Sequence, residues 1–298
     1  MDTKTEARDF LISRRNRLTP QQAGLPVIGG HRRVPGLRRE EVAMLAGVSL
    51  EYYVRLERGN LGGVSEQVLD SLSSALQLDE AERTHLYDLA RNATHRRTTR
   101  TAPKRVVRPQ VQWLLDQMGG SAAYVRNARL DILATNAVGR LLYAPVFEQA
   151  GGNTSRYIFL CEESAREFFV DYELIANNSA AVLRSMAGEN PHDPALSRLV
   201  GELSTRSERF RQLWAKHEVR LHRSGVKRFN HPLVGELTLN YEAMDLAADP
   251  GLRLNTYAAE PGTESAERFG LLVSWALSGQ SDLSPAAPTA TDQRFDKA

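Results

Sequence analysis

The sequence is poor in residue types that mark whole classes of protein. It has one cysteine, Cys161, and five lysines, at positions 4, 104, 216, 227 and 297. A single thiol excludes an internal disulfide framework and any zinc site built on clustered cysteines. No apolar run approaches the roughly 18 residues of a membrane-spanning helix. The first residues, MDTKTEARDF, carry acids and no apolar segment, so no secretory signal is expected and a cytoplasmic setting is. Motifs of nucleotide and acyl-transfer chemistry are missing as well: there is no GxGxxG, no P-loop and no GxSxG. His217, His222 and His231 share one region, but separations of five and nine residues do not align them on a helix face, and no metal is expected. Cys161, beside Leu160, reads as an inert thiol, and the acid pairs Glu162/Glu163 and Asp171/Glu173 read as solvated helix surface. The expectation is a non-enzyme with no resident cofactor.

What is present is an ordinary globular composition, 42% hydrophobic and 25% charged, over 298 residues, a length that favours two domains. The formal net charge of +2 conceals segregation. Residues 1–90 hold 12 bases and 13 acids, residues 91–108 seven bases and no acid, and the remainder 19 bases and 23 acids. The basic piece, RNATHRRTTRTAPKRVVRP, interleaves Thr and Pro without apolar periodicity and reads as an extended linker between a domain at 1–90 and a second at 109–278. It is either a solvated hinge or an arm that follows phosphates through Arg96, Arg97, Arg100, Lys104 and Arg105. From Gly279 to 298, Ser, Pro, Ala and Thr dominate, and a disordered tail is expected.

In the first domain, Phe10, Leu11, Arg14 and Leu18 mark an amphipathic helix that Pro20 closes. After a Gly/Pro-rich loop comes LRREEVAMLAGVSLEYYVRLERGN. Its apolar positions Val42, Ala46, Val48, Tyr53 and Leu56, with small Ala43 and Gly47 between, specify two short helices joined by a tight turn. Ser65 caps a third segment carrying Val68, Leu69, Leu72 and Leu76, and Asp79 with Glu82 forms a capping box for a helix with Leu86 and Leu89.

This stretch, through Leu56, Glu57 and Gly59, resembles the helix-turn-helix of the XRE family of transcription regulators. In that geometry the second helix lies in the major groove and the first crosses the backbone. The resemblance implies DNA contacts from Arg38 and Arg39 at the first helix and from Ser49, Leu50, Glu51, Tyr52 and Arg55 at the second. Ser49 would offer its hydroxyl and the helix amides to a phosphate, Arg55 would pair with guanine, and Glu51 would accept from cytosine. Tyr53 reads as core, and Glu57 as an ion-pair partner of Arg14 or Arg15. Arg38 and Arg39 stand where the family has a small polar cap and a Gln, and the preceding loop is long.

In the second part, an apolar helix over Val111 to Met118 leads into a strand at Ala123 to Val125, a second at Leu130 to Thr135, and a helix capped by Asn136. Helical periodicity then runs from Glu163 to Gly188, Pro194 to Leu203 and Ser207 to His217. Strand patterns return in VRLHRSGVKRFNHPLVGELTLNYEAMDL and LRLNTYAAEPG, with Gly225 and Pro232 to Gly235 as turns, and a helix over Glu264 to Leu277 closes the domain. Strands at both ends with helices between make an α+β domain. WLLDQM, AYVRNARLDILATN, FFVDYE, LVGELSTRSERFRQLWAKHEVR, HPLVGEL and TYAAEPGTES resemble the MmyB-like ligand-binding domain of actinobacterial regulators, which implies a PAS-like fold with an antiparallel sheet and added helices.

The resemblance further implies a pocket for a fatty acid or similar hydrophobic molecule. His217, Arg220 and His222 are the candidate bases for an anionic head group, with Trp214 and Tyr257 as walls. The two resemblances together imply a homodimeric, one-component regulator of transcription whose hold on double-stranded DNA answers to that ligand. The alternative is a second domain that only dimerises or binds protein.

Overall fold

The computed structural model describes residues 2–26, 34–94, 106–221 and 223–281, with side chains through 278. The N-terminal domain packs α1 (Thr3–Arg17), α2 (Arg39–Leu45), α3 (Leu50–Glu57), α4 (Glu66–Ala75) and α5 (Glu80–Thr94). Side chains satisfy the helix starts: Asp2 accepts from the Lys4 amide, Ser49 from Tyr52 and Ser65 from Val68. At α5, Asp79 and Glu82 accept from each other's amides, a complete capping box. Gly47, at φ 65°, takes the left-handed conformation that ends α2 and turns the chain into α3. Phe10, Leu11, Val42, Tyr53, Leu56, Leu72 and Leu86 are buried in one core, which also takes in Val219 from the far side of the chain.

The second domain begins with α6 (Pro109–Gln117), β1 (Ala122–Arg126) and β2 (Ile132–Thr135). Seven helices follow: α7 (Ala137–Leu142), α8 (Ala144–Ala150), α9 (Thr154–Leu160), α10 (Glu162–Phe168), α11 (Tyr172–Glu189), α12 (Pro194–Arg206) and α13 (Glu208–Trp214). The chain closes with β3 (Ser224–His231), β4 (Gly235–Asp245), β5 (Arg253–Ala259) and α14 (Glu264–Ser281). The strands form one antiparallel sheet ordered β2-β1-β5-β4-β3. An all-helical N-terminal domain followed by an α+β domain with an antiparallel sheet is the expected fold class. Asn136 staples its opening: the side-chain oxygen accepts from Gly139 and Ala123 amides, and the nitrogen donates to the Met118 and Ser121 carbonyls.

Period-two alternation gives the sheet two unlike faces. Val125 and Leu254 pair in register and pack under Val111 and Leu115 of α6. Tyr124 and Arg126 in β1, Lys227 and Phe229 in β3, Leu239 and Tyr241 in β4, and Tyr257 in β5 share the opposite face by register, and the main core builds there.

Four expectations change. The periodic run from Glu163 to Gly188 is two helices, because Phe169 bridges to Phe229 and the Val170 amide donates to the Arg228 carbonyl, drawing three residues to the sheet edge. Gly225 is no turn: it lies inside β3 opposite Tyr241, whose ring would meet an added Cβ at 3.1 Å. Residues 91–94, assigned above to the linker, finish α5, and α14 runs to Ser281. The tail beyond 281 lies outside the described residues.

Candidate DNA-reading helix and ligand cleft

On α3 the buried set, Tyr53, Leu56 and Glu57, faces the core, which leaves Leu50, Glu51 and Arg55 exposed on the other side. Tyr52 is half-buried, and Arg55 stacks over its ring at 4.7 Å. Arg58 and Asn60, not among the contacts that the family resemblance implies, line the same concave surface with Leu50, Glu51 and Arg55. Their position just past the last turn of the helix was the available signal.

Ser49 spends one lone pair capping α3, and its hydroxyl proton remains to donate. Glu57 is buried and accepts from Arg15, from Arg39 and from the Tyr53 hydroxyl at 3.3 Å. Arg15 is therefore its partner, while Arg14 pairs instead with Glu82 at 3.0 Å. Arg39 is half-exposed but anchored by this pair. Arg38 approaches Glu40 at 3.4 Å while its amide donates to Glu41, a half capping box. Of the seven bases in 91–108, Arg91 pairs with Asp88 and Arg108 with Asp249. Arg96, Arg97, Arg100, Lys104 and Arg105 lie outside the described residues.

The second site lies between the sheet and α11. Tyr124, Arg126, Lys227 and Tyr241 form its floor, and Ile158, Phe169, Leu174, Ile175, Asn178, Ser179 and Val182 are among its walls. The cavity is ≈ 70 Å³, widening to ≈ 640 Å³ when its open mouth and the gaps between its walls are counted. Arg126 is buried: one guanidinium nitrogen donates to the Asn127 carbonyl and Nη2 has no partner. Lys227 donates to the Tyr257 hydroxyl at 3.1 Å and sits over the Tyr241 and Tyr257 rings. Among the described residues neither cation has a carboxylate within 4.0 Å. Burial, with Arg126 adding to it, pushes the Lys227 ammonium down to about 7. Burial likewise lowers the Arg126 guanidinium and raises the Tyr143 and Tyr257 hydroxyls, which bond to each other at 2.8 Å. An apolar slot ending in two cations is suited to an amphiphilic anion, whose planar carboxylate a guanidinium matches with paired donors.

Two of the residues expected to hold the ligand are elsewhere. Trp214 and His217 line the junction between the domains, because the chain leaving α13 turns against α1 and α11 before it enters the sheet; the Arg220 backbone follows them, while its guanidinium lies close enough to the Tyr241 hydroxyl of the cleft floor to act on it. Arg184 stacks over Trp214 at 4.0 Å, the His217 carbonyl accepts from Arg14, and the Arg220 backbone is tied to Ser185. Tyr257 stands directly behind the cleft floor, bonded to Lys227 and Tyr143. His222 lies outside the described residues. Arg126 and Lys227 were missed; strand parity with Tyr124 and Phe229 was the signal that could have found them.

A family model described as the MmyB-like transcription regulator ligand binding domain matches residues 107–272, more than half of the chain. A helix-turn-helix domain model matches residues 10–86. No curated protein matches the chain.

Proposed function

The chain belongs to the family of transcription regulators with an MmyB-like ligand binding domain, here joined to a helix-turn-helix domain, and from that premise we propose a one-component cytoplasmic regulator whose DNA binding follows occupancy of the cleft by a fatty-acid-like carboxylate. The observation that carries the ligand class is the pair Arg126 and Lys227, sunk at the end of an apolar slot with an orphaned guanidinium nitrogen. Leaving a buried cation unpaired is costly, and an anionic head group removes that cost. The hydrocarbon chain would lie along Ile158, Phe169, Ile175 and Val182.

DNA recognition is assigned to the exposed face of α3, with Leu50, Glu51, Tyr52, Arg55, Arg58 and Asn60 at bases or sugar-phosphate, Ser49 at a phosphate, and Arg38 and Arg39 flanking. The bases Arg96, Arg97, Arg100, Lys104 and Arg105 would add phosphate contacts. Modules this small read paired half-sites as symmetric dimers, so the working form is a homodimer.

Native mass spectrometry of the full chain, followed by lipid extraction, tests the ligand. The expected result is a bound acyl carboxylate, or retention of added myristate, weakened about tenfold or more in Arg126→Met. A wild-type protein that stays empty with myristate overturns the reading.

A further inference from the structure

Helix α11 serves two places at once. From Leu174 to Val182 it walls the cleft, and its next two turns carry the contact with the N-terminal domain. Arg184, fully buried, donates to Glu6 of α1 and to the Trp214 carbonyl. Gly188 meets His85 of α5 so closely that an added Cβ would fall 2.3 Å from the ring. Asn92 of α5 donates to the Gly188 carbonyl at 2.7 Å.

The strap over residues 215–221 joins the same junction. Ser185 Oγ donates to the Arg220 carbonyl at 3.0 Å and accepts from its amide at 3.2 Å, which ties the strap to α11. Val219 is buried in the core of the N-terminal domain, and Arg14 bridges the His217 carbonyl, Glu82 and Glu218. Burial works against the charge on Glu6, but contact with His217 and the Arg184 guanidinium outweigh it and hold its carboxyl down at about 2.

Two physical facts couple the cleft to this junction. At ≈ 70 Å³ the cavity is well below the roughly 300 Å³ of an ordinary ligand site, so an acyl chain has to part α11 from the sheet. A helix transmits such a shift along its axis, and Arg184 is only two residues beyond Val182. The junction cannot slide to absorb the shift, because its buried charges lose their partners if displaced.

We propose that α11 and the 215–221 strap form a latch: closed, it fixes the helix-turn-helix domain against the ligand domain, and an acyl carboxylate entering the cleft opens it and frees that domain to reorient. The latch rests on the ligand reading above. It assigns the coupling between the domains to buried contacts, in place of the basic linker.

Hydrogen–deuterium exchange on the full chain tests it, with amides of 215–221, α1 and α5 as the readout and those of β1 to β5 as the check that the fold is kept. Sodium myristate should speed exchange of the strap by about tenfold or more in the wild type. Arg184→Met should produce that speed without ligand and show no further response. If myristate is retained by native mass spectrometry yet strap exchange is unchanged, the latch is overturned. If myristate is not retained, the ligand reading fails instead, and Ser179→Phe, which crowds the cleft from its own wall, decides the latch. Faster strap exchange over an intact sheet then supports the latch, and unchanged exchange overturns it. Ile175→Trp replaces Ser179→Phe if the latter loses the sheet protection.

Discussion

The N-terminal domain with its junction and the cleft of the second domain treat buried charge in opposite ways. In the N-terminal domain and its junction every sunken acid is met by cations: Glu57 by Arg15 and Arg39, Glu82 by Arg14 and Arg17, Glu6 by Arg184. In the cleft, Arg126 and Lys227 lie on a floor of tyrosines with no carboxylate within reach among the described residues. Ions already paired locally hold a shape, whereas ions left without a counter-charge mark a place where one arrives from outside. The same residue types therefore serve architecture at the junction and carry the proposed ligand site in the cleft.

The contrast is sharpest where a closed pair is opened. Glu57→Ala leaves Arg15 buried without its acid, and the N-terminal domain should lose about 3–5 kcal/mol in denaturant unfolding. A loss below about 1 kcal/mol would place Glu57 with ordinary surface pairs.

His85 tests the junction next. Its ring nitrogens have no hydrogen-bond partner, and Glu6, Arg14, Arg184 and His217 surround it. Burial, with the two guanidiniums and His217 acting against the attraction of Glu6, holds its imidazole down at about 4. The unfolded chain takes up this proton first, near pH 6.5, so stability is complete above that pH and falls as the pH drops towards 4, by up to about 3 kcal/mol. Glu6, held near 2, stays charged through that window. Thermal unfolding of His85→Phe should show a flatter decline between pH 6.5 and 4 than the wild type, and parallel curves would refute the assignment.

In the cleft the sign reverses. Lys227→Met removes a cation with no carboxylate partner, so the ligand-free protein should gain about 1 kcal/mol or more at neutral pH, where burial already disfavours the charged ammonium. The wild type should close this gap as the pH rises above 7, where folded Lys227 gives up its proton and the unfolded chain does not. The variant should lose most of its affinity for myristate. Destabilisation at pH 7 would mean that the ammonium is satisfied within the chain.

The smallest stability effect belongs to the reading face. Arg55→Ala should change unfolding by less than about 0.5 kcal/mol, yet cost about 1–3 kcal/mol on a cognate duplex and little on random DNA. Equal losses on both duplexes would remove Arg55 from base reading.

Much of the fold was legible because its signals are local. Ser49, Ser65, Asp79, Glu82 and Asn136 are caps whose effect reaches three residues, and Gly47 ends α2 through its own φ. The break between α10 and α11 was not legible: Phe168 to Leu174 keep an apolar pattern, and only pairing of Phe169 with a strand sixty residues away interrupts the helix. The distance of Trp214 and His217 from the cleft was hidden for the same reason. They carry aromatic and basic chemistry in sequence, but their neighbours are Arg184 and Arg14, which belong to other elements.

By itself the sequence determined two domains, the helix-turn-helix with its exposed and buried residues, and the alternation that makes the sheet two-faced. These follow from periodicity and capping, which act within a few residues. Tertiary structure alone decided which charges are spent and which are free, and that α11 is shared between cleft and junction. Those outcomes depend on distances between atoms up to two hundred residues apart in the chain, as between Arg14 and His217, and no local pattern encodes such a distance.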